Sequence, residues 1–333
     1  MATIHDVARQ AGVGVGTISR VVNGHPRVSE KTREKVTTAI AELGYRTNRN
    51  ARGLARGRMS TIAVLVPFIT HASAMGRIRG VVDGCRRLGL PVSIFDVEVP
   101  EHQHEHLKAL AGDLRPEGLV VVSLHLSDEE LAWLRAAHVP TVLIDVDDEA
   151  ASSLVVDDER GGRLATEHLL ALGHRRIALI GDDESDAFGF TSTARRKAGY
   201  RAALADAGIA PGPALERLGP HGSEVACALT HDLLSQPEPP TAVFTTSDTQ
   251  AFGAARALRE LGLRIPHDVS LVGFDDIESA ADAGLTTVRQ PLFESGAMAA
   301  RMLADLISVP DAPPERIVLD VELVIRSTTG PPP

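Results

Sequence analysis

Four glycines fall within the stretch AGVGVGTISRVVNG, residues 11–24, at positions 12, 14, 16 and 24. A glycine-rich loop of this kind can cradle the phosphates of a nucleotide, or it can form the turn of a DNA-binding helix-turn-helix. A dinucleotide-binding fingerprint would need a third glycine where Thr17 stands, and no Gly-Lys-Ser/Thr sequence follows to make a phosphate-binding loop. The residues before the glycines have helical rather than strand periodicity. The spacing therefore favours the DNA reader.

Other clusters give weaker signals for chemistry. His102 and His106 in the run EHQHEH are one helical turn apart, which is a metal-ligand spacing, but an obvious third ligand is missing, so we expect a solvated helix start and no metal. Cys85 and Cys227 form no CxxC motif and are predicted to be buried thiols. No GxSxG or Cys-His motif indicates catalysis. We therefore expect no enzymatic activity and no cofactor.

Three short helices must position the glycine turn. Apolar residues recur at helical spacing from Ile4 to Ala11, where Thr3 can cap the start of the helix and Gly12 can end it. A second set extends from Val15 to Val22, and a third helix follows the cap Ser29. This pattern predicts a helix-turn-helix, and an ordinary helical hairpin is the alternative.

Charge is distributed unevenly along the 333 residues. Residues 1–60 hold eleven Lys or Arg and four acids, which gives this segment a net charge of +7. Because the whole chain has a net charge of −10, residues 61–333 carry −17. A basic segment on an acidic body is expected where one end meets a polyanion, although a solvated basic face is the alternative. The chain has no secretion signal and no run approaching 18 apolar residues, which predicts a cytoplasmic protein with no membrane partner.

From Thr61 onwards, short apolar runs such as IAVLV, GLVVVSL and RIALIG alternate with helical segments. Strands that are apolar throughout and separated by helices are typical of parallel sheets covered on both faces. Eight to ten such strands are too many for one sheet, so we predict an α/β body of two doubly wound parallel lobes that join near residues 157–160. A ligand would bind between the lobes, at the carboxyl ends of the strands. The tail STTGPPP is predicted to be frayed.

These motifs, taken in order, resemble the lactose-repressor family of bacterial transcription regulators. The resemblance rests on TIHDVARQAGVGVGTISRVVNG and VSEKTREKVTTAIAELGYRTN at the N-terminus, and on GGRLATEHLLALGHRRIALIG, RRKAGYRAAL, VSLVGFDD and LTTVRQP in the body. It implies a headpiece, a hinge and a body like a periplasmic binding protein. The implied headpiece is residues 1–46, with the helix-turn-helix at about 4–23, and the implied hinge is residues 47–60. The body is residues 61–333. Its N-lobe would consist of residues 61–158 and 289–317, and its C-lobe of residues 159–288 and 318–330.

The resemblance also implies how DNA is contacted. Base choice in the family depends on the start and the middle of the second helix, which here correspond to Val15, Gly16 and Arg20, and Arg20 can bond a guanine through two hydrogen bonds. Positions used mainly on the phosphate backbone match Thr3, Thr17, Ser19, Asn23, Arg27, Ser29 and Thr32. Positions of a hinge helix that enters the minor groove match Asn48, Asn50, Ala51 and Leu54, with Leu54 as the wedge between base pairs.

For the body, the resemblance implies a small effector held between the lobes. The matching positions are His71, Asp145, Arg196, Ser247, Asp248, Asp275 and Gln290. Arginine and aspartate at strand ends suit paired hydrogen bonds to vicinal hydroxyls, although the same groups could form ion pairs between the lobes without a ligand. Aromatic residues that commonly stack on sugars are missing from Thr70–Ser73 and from GPHGS at residues 219–223, which weakens the expectation of an ordinary hexose.

The hypothesis from the sequence is a homodimeric transcription repressor that binds a pseudo-palindromic operator and responds to a sugar or related metabolite. A two-fold protein reads a two-fold site, and the absence of C-terminal heptads favours a dimer over a tetramer. The alternative is a small-molecule receptor or a sugar-processing α/β enzyme with an incidental basic N-terminal segment.

Overall fold

A computed structural model of the chain describes residues 2–22, 27–44, 59–183, 187–310 and 312–333. The chain divides into two compact units, Met1–Ser60 and Thr61–Pro333. The first unit spans the residues assigned to the headpiece and the hinge, and the second is the body.

In residues 2–22 and 27–44 the headpiece contains three helices, α1 (Ile4–Ala11), α2 (Val15–Val22) and α3 (Glu30–Glu42). Helix α1 begins with a capping box in which the Thr3 side chain accepts a hydrogen bond from the Asp6 backbone and the Asp6 carboxylate accepts one from the Thr3 backbone. It ends at Gly12, whose left-handed φ of 64° turns the chain towards α2. Val7, Ile18 and Val36 are fully buried where the three helices meet. The predicted caps and stop are therefore confirmed.

The body alternates strands and helices. Its first half contains β1 (Met59–Pro67), α4 (Ala72–Arg87), β2 (Val92–Val97), α5 (Pro100–Ala111), β3 (Pro116–Val122), α6 (Asp128–Ala136), β4 (Thr141–Ile144), β5 (Ser152–Val156) and α7 (Asp158–Ala171). Its second half contains β6 (Ile177–Asp182), α8 (Ser192–Asp206), β7 (Glu216–Gly219), α9 (Ser223–Leu234), β8 (Ala242–Thr245), α10 (Asp248–Glu260), β9 (Ser270–Asp275), α11 (Glu278–Asp282), β10 (Thr286–Arg289), α12 (Leu292–Ser308), β11 (Arg316–Leu319) and β12 (Glu322–Val324).

Two six-stranded sheets form the two lobes. The N-lobe sheet has the order β11-β5-β4-β3-β1-β2 and the C-lobe sheet the order β12-β10-β9-β8-β6-β7. Eight of the described strand pairings are parallel, and that of β12 with β10 is antiparallel. Helices cover both faces of each sheet, and each face has its own apolar core. The predicted α/β class with a helix-turn-helix headpiece and a two-lobed body is confirmed.

The end of the chain, from residue 292 onwards, contains elements that were not predicted from the sequence. No predicted element corresponds to α12, β11 or β12, and the contact face of α12 contains small residues such as Ala299 and Ala300, which give a weak periodic signal. The expectation of a frayed tail is wrong. The Leu271 backbone N–H donates to the carbonyl of Thr328 at 2.8 Å, and the ring of His174 contacts the carbonyl of Gly330 at 2.9 Å. These bonds hold the tail against the C-lobe sheet.

None of the helices in the described ranges is long and apolar enough to cross a bilayer.

Candidate DNA-reading helix and effector cleft

Helix α2 presents one polar face. Ile18 and Val21 are buried in the headpiece, whereas Gly16, Ser19 and Arg20 are exposed and Thr17 is half-buried. Val15 is half-buried and packs partly against the headpiece core, so only part of its side chain is available for base contact. The carbonyl of Gly14 begins the helix by accepting hydrogen bonds from the backbone N–H groups of Thr17 and Ile18. The exposed face can therefore offer a guanidinium, a hydroxyl and bare backbone to a DNA groove.

The predicted phosphate-contacting residues of α1 and α3 lie at helix starts. Thr3 is exposed at the capping box, and the Ser29 hydroxyl lies 2.8 Å from that of Thr32 while Ser29 caps α3. Helix N-termini favour anions, so both ends suit a phosphate. Arg27 is exposed beside Ser29. The predicted contacts outside the described residues are Asn23, Asn48, Asn50, Ala51 and Leu54.

A cleft of about 500 Å³ lies between the two lobes of the body. Its walls are formed where strands of both sheets end, as expected for ligand sites of doubly wound folds. Six of the seven residues predicted for an effector lie in its lining. These six are His71, Asp145, Arg196, Ser247, Asp275 and Gln290.

The N-lobe side of the cleft is built around a buried arginine on α4. Arg77 contacts Asp145 at 2.5 Å and donates through Nη2 to Gln290 Oε1 at 2.8 Å. Asp145 follows β4 with a left-handed φ of 65°, which is costly for a residue other than glycine, and its Oδ2 accepts a hydrogen bond from the Ser123 hydroxyl at 2.9 Å. Arg77 and Ser123 are not among the predicted residues. The sequence did contain a signal for Arg77, because an arginine is unexpected among the small and apolar residues on that face of α4.

The C-lobe side contains a second buried arginine. Arg196 Nε donates to Asp158 Oδ1 at 2.8 Å, and its guanidinium carbon lies 3.7 Å from the centre of the Phe274 ring. Helices α7 and α8 approach closely because Gly162 has no side chain, since a Cβ there would lie 2.0 Å from the carbonyl oxygen of Arg196. Arg196 Nη1 also lies 3.8 Å from Asp275 Oδ1. Burial raises the pKa of Asp158 and of Asp275, against the effect of Arg196.

Gln290 connects the two sides. Its Nε2 donates to Asp275 Oδ1 at 2.5 Å while its Oε1 accepts from Arg77. A continuous polar chain therefore crosses the floor of the cleft, which we call the interlobe chain. Its members are Asp145, Arg77, Gln290, Asp275, Arg196 and Asp158.

An aromatic wall lines one side of the cleft. Phe68 stacks on His71 at 4.9 Å between ring centres and meets Phe188 edge-on at 5.5 Å, and Phe188 stacks on Phe190 at 5.4 Å. Phenylalanine rings therefore line the cleft although residues 70–73 and 219–223 supply none of them. The rings come from Phe68, which directly follows the last residue of β1, and from the loop between β6 and α8. Neither segment belongs to the two stretches, residues 70–73 and 219–223, where the family resemblance implies stacking aromatic residues.

Two histidines from opposite lobes meet at this wall, with ring centres 4.5 Å apart. Burial lowers the pKa of His71 to about 4, so His71 is neutral at pH 7. Burial opposes protonation of His221, but the hydrogen bond from its Nδ1 to Asp182, together with the negative charges of Asp182 and Asp275, outweighs that effect and raises the pKa of His221. Asp182 is held in place by Gln250, which donates to the same oxygen at 2.7 Å. His221 was not predicted.

Asp248 is the predicted effector residue that does not line the cleft. Its side chain is buried behind the C-lobe sheet, where Oδ1 accepts from the Thr287 hydroxyl at 2.6 Å and Oδ2 accepts from the Ile277 backbone at 2.9 Å. Burial raises its pKa to about 8. The neighbouring Ser247 lines the cleft and also caps α10 by accepting from the Gln250 backbone. The assignment of Asp248 to the effector is corrected accordingly, because both of its oxygens serve the packing of the sheet.

The histidine pair in EHQHEH lies on α5. The rings of His102 and His106 have centres 6.3 Å apart, and His106 Nε2 contacts the carbonyl of Asp96 at 3.2 Å. In the described ranges these two rings do not belong to any three-residue group with metal-ligand geometry. Cys85 and Cys227 are buried free thiols, as predicted.

Comparison with known proteins decides the family. Residues 3–48 match the model for bacterial regulatory proteins of the lacI family, and residues 166–329 match that for the periplasmic binding protein-like domain. The HTH-type transcriptional regulator CelR of Thermobifida fusca is 35% identical over 337 residues, which cover 98% of each chain. This chain belongs to the lacI family.

Solved structures of lacI-family proteins agree over the whole length. A lac repressor dimer bound to operator and the anti-inducer ONPF matches with a TM-score of 0.84 at 34% identity, over 99% of both chains. A complex of the regulator CelR with cellobiose matches with a TM-score of 0.73 at 34% identity, over 98% of this chain and 100% of that one. The chain is thus a DNA-binding transcription regulator, and its relatives are regulators rather than enzymes.

Proposed function

We propose that this lacI-family chain is a homodimeric repressor whose affinity for a pseudo-palindromic operator is controlled by a neutral, polyhydroxylated effector bound in the cleft. The observation that carries the proposal is the interlobe chain, which brings acids, two arginines and an amide to the floor of a cleft with an aromatic wall. Carboxylates and guanidinium groups bond vicinal hydroxyls, and aromatic rings cover the apolar face of a sugar ring.

The charge of the cleft supports a neutral ligand. Five carboxyl side chains and two arginines line it, and both arginines already contact acids. A phosphate or a carboxylate on the ligand would meet excess negative charge at short range in a poorly hydrated space. The five acids are Glu98, Asp145, Asp182, Asp183 and Asp275. We therefore favour neutral mono- or disaccharides over sugar phosphates and uronic acids. The similar regulator CelR has been solved in complex with cellobiose, a neutral disaccharide, which supports this class.

Effector binding would change DNA affinity by changing how far the two lobes close. A ligand that bridges the lobes favours one relative position of the two sheets, and each headpiece would then be held at a spacing that suits or disfavours the two operator half-sites. A coupling free energy of roughly 1–3 kcal/mol is typical of such regulation. The hinge residues Asn48, Asn50, Ala51 and Leu54 are proposed to transmit this change by entering the minor groove.

The remaining assignments follow from a role on the chromosome. We place the protein in the cytoplasm and assign it no enzymatic activity and no cofactor. The matching lac repressor structure is a dimer on operator DNA, which supports the same assembly here. Arg20 is proposed to read a guanine, with Thr3, Ser29 and Thr32 on phosphates.

Two measurements on the full-length protein test the proposal. Duplexes selected from a random pool should share a two-fold symmetric sequence motif. Their affinity should fall steeply as the salt concentration rises: the slope of log affinity against log salt should be about −0.9 for each phosphate that the protein contacts. A thermal-shift screen should then give hits among neutral sugars and none among their phosphorylated counterparts, and a hit should change operator affinity. A sugar-processing enzyme with an incidental basic segment would select no motif and would keep its activity after deletion of residues 1–60.

A further inference from the structure

Three side chains with metal-ligand chemistry meet on the outside of the C-lobe. Cys227 and His231 lie on α9, and Glu260 is the last residue of α10. Their ligand atoms all lie within 4.8 Å of one another, and within the described ranges no other group of this kind occurs. None of the three belongs to the cleft lining. We call this group the α9–α10 cluster.

The local fold brings the three side chains together. Cys227 and His231 are four residues apart, so both point to the same face of α9. Gly253 allows α10 to approach that face, because a Cβ there would lie 2.2 Å from the carbonyl oxygen of Ser223 and 2.9 Å from the Cβ of Ala226. Two turns further along α10, Glu260 reaches both side chains of α9.

One of the ligand distances already matches a tetrahedral metal, and a second is too short by about 0.6 Å. Cys227 Sγ lies 3.6 Å from Glu260 Oε2, and His231 Nε2 lies 2.8 Å from the same oxygen. Zinc bonds of about 2.3 Å to sulfur and about 2.1 Å to nitrogen and oxygen, at tetrahedral angles, would place S and O about 3.6 Å apart and N and O about 3.4 Å apart. The sulfur–oxygen pair already has that spacing, and a small shift of the partly exposed imidazole supplies the other.

Charge and access also suit a cation. A thiolate and a carboxylate would neutralise a divalent ion, and His231 would add a neutral nitrogen. Arg256 interacts with Cys227 and lies 3.7 Å from Glu260 Oε1, so a metal must compete with it for both ligands. Its Nη1 also pairs with Glu224 at 2.7 Å, and Glu224 offsets the arginine charge when a metal is bound. The Cys227 side chain is buried, whereas those of His231 and Glu260 are 38% and 48% exposed. An ion can therefore enter from solvent, and water can complete the coordination.

We propose that the α9–α10 cluster is a zinc site. Thiolate, imidazole and carboxylate form a donor set typical of zinc, with three protein ligands and one open position. On binding, the Cys227 thiol releases its proton to solvent and the thiolate bonds the metal. The imidazole donates the Nε2 lone pair and keeps its proton on Nδ1, and Glu260 Oε2 supplies the third bond. The metal ties α9 to the end of α10, and the site is independent of the effector cleft.

Cobalt substitution tests the site in the full-length protein. Purified protein stripped of metal should bind one equivalent of Co²⁺ per chain, with a thiolate-to-cobalt charge-transfer band in the near ultraviolet. One equivalent of Zn²⁺ should displace the cobalt and raise the Tm. Cys227→Ser should abolish the band, and the partly exposed His231→Ala and Glu260→Ala should each weaken Zn²⁺ affinity at least tenfold.

The matched controls are the second cysteine of the chain, Cys85, and His102 of the histidine pair on α5. Cys85→Ala and His102→Ala should keep both the band and the Zn²⁺ affinity, because Cys85 lies in the N-lobe core and His102 on α5. The proposal is overturned if the parent binds no Co²⁺, if the band survives in Cys227→Ser, or if His231→Ala binds Zn²⁺ as tightly as the parent. Loss of the band in Cys85→Ala with retention in Cys227→Ser would place the metal at the other thiol and overturn it as well.

Discussion

The side-chain amide of Gln290, which directly follows β10, donates at 2.5 Å to Asp275 at the end of the neighbouring strand β9. The same amide accepts from Arg77 at 2.8 Å. One neutral side chain therefore separates a buried cation of one lobe from a buried acid of the other. Its position makes the interlobe chain continuous, and it makes the cleft floor sensitive to any change of lobe position.

Gln290→Ala should destabilise the body and weaken effector binding. Loss of the amide leaves Arg77 and Asp275 each short of a buried partner, which costs about 2–3 kcal/mol. For a unit of this size we expect the Tm to fall by roughly 4 °C or more. Thermal unfolding measured by circular dichroism checks this, with Gln236→Ala as the matched control, since that glutamine makes only a surface hydrogen bond to the carbonyl of Ala214. Equal melting temperatures for the two variants would mean that Gln290 is not a structural connector.

Asp248→Asn should flatten the dependence of stability on pH. The pKa of Asp248 is about 8 in the folded protein against an ordinary value of 3.8, so the folded state holds a proton that the unfolded state has already lost at pH 5–8. Its contribution is therefore fully present at low pH and is lost progressively as the pH rises to 8, with a slope of up to about 1.4 kcal/mol per pH unit. The parent should lose more stability than Asp248→Asn between pH 5 and 8 in urea titrations.

The exposed Asp320→Asn is the control for that experiment. It should follow the parent curve throughout. Effector affinity at pH 7 should be nearly the same in Asp248→Asn as in the parent, because Asp248 does not line the cleft. A large loss of effector affinity would return Asp248 to the binding site.

Phe188→Ala should weaken the effector without weakening ligand-free DNA binding. Phe188 contacts Phe68 and Phe190 in the aromatic wall. Removing one ring should weaken the free energy of ligand binding by about 1–2 kcal/mol, which raises Kd by a factor of roughly 5 to 30. Calorimetric titration with the sugar found in the screen measures this loss. Leu261→Ala, on an exposed position of the C-lobe, should leave the Kd unchanged. Equal affinities for parent and Phe188→Ala would show that the ligand does not use the wall.

Arg20→Ala should relax base preference on the operator. Loss of a paired contact to guanine costs about 1–3 kcal/mol at one base pair, whereas Arg27→Ala should weaken all duplexes to a similar extent and lower the salt slope by about 1. Fluorescence anisotropy with the selected operator and its single-base variants separates the two outcomes. If Arg20→Ala discriminates among the variants as strongly as the parent, another residue of α2 reads the bases.

Leu54→Ala should reduce operator affinity while effector affinity stays the same. A leucine wedge between base pairs stabilises a bent operator, and alanine is too short to fill the opened step. Comparison of the two affinities in one preparation makes the test specific for DNA binding. A parallel loss of effector binding would indicate that Leu54 supports the fold of the body instead.

The sequence by itself determined the local features of this protein. The caps at Thr3 and Ser29, the turn at Gly12 and the alternation of apolar strands with helices depend on residues a few positions apart. Ordered motifs also identified the family and located six of the residues that line the cleft. Each of these features is encoded by residue types and their spacing along the chain, so the sequence alone is sufficient to predict it.

Only the tertiary structure decided which distant side chains meet. Arg77 joins the site because α4 and the crossover after β10 converge under the cleft, and Phe188 and His221 join it from loops that carry no motif. Asp248 lies next to a cleft residue in sequence, but its carboxylate bonds Thr287 of β10 and the Ile277 backbone and does not line the cleft. The α9–α10 cluster depends on the close approach of two helices at Gly253. Strand order and helix packing bring such residues together, and neither is recorded in the short-range periodicity of the chain.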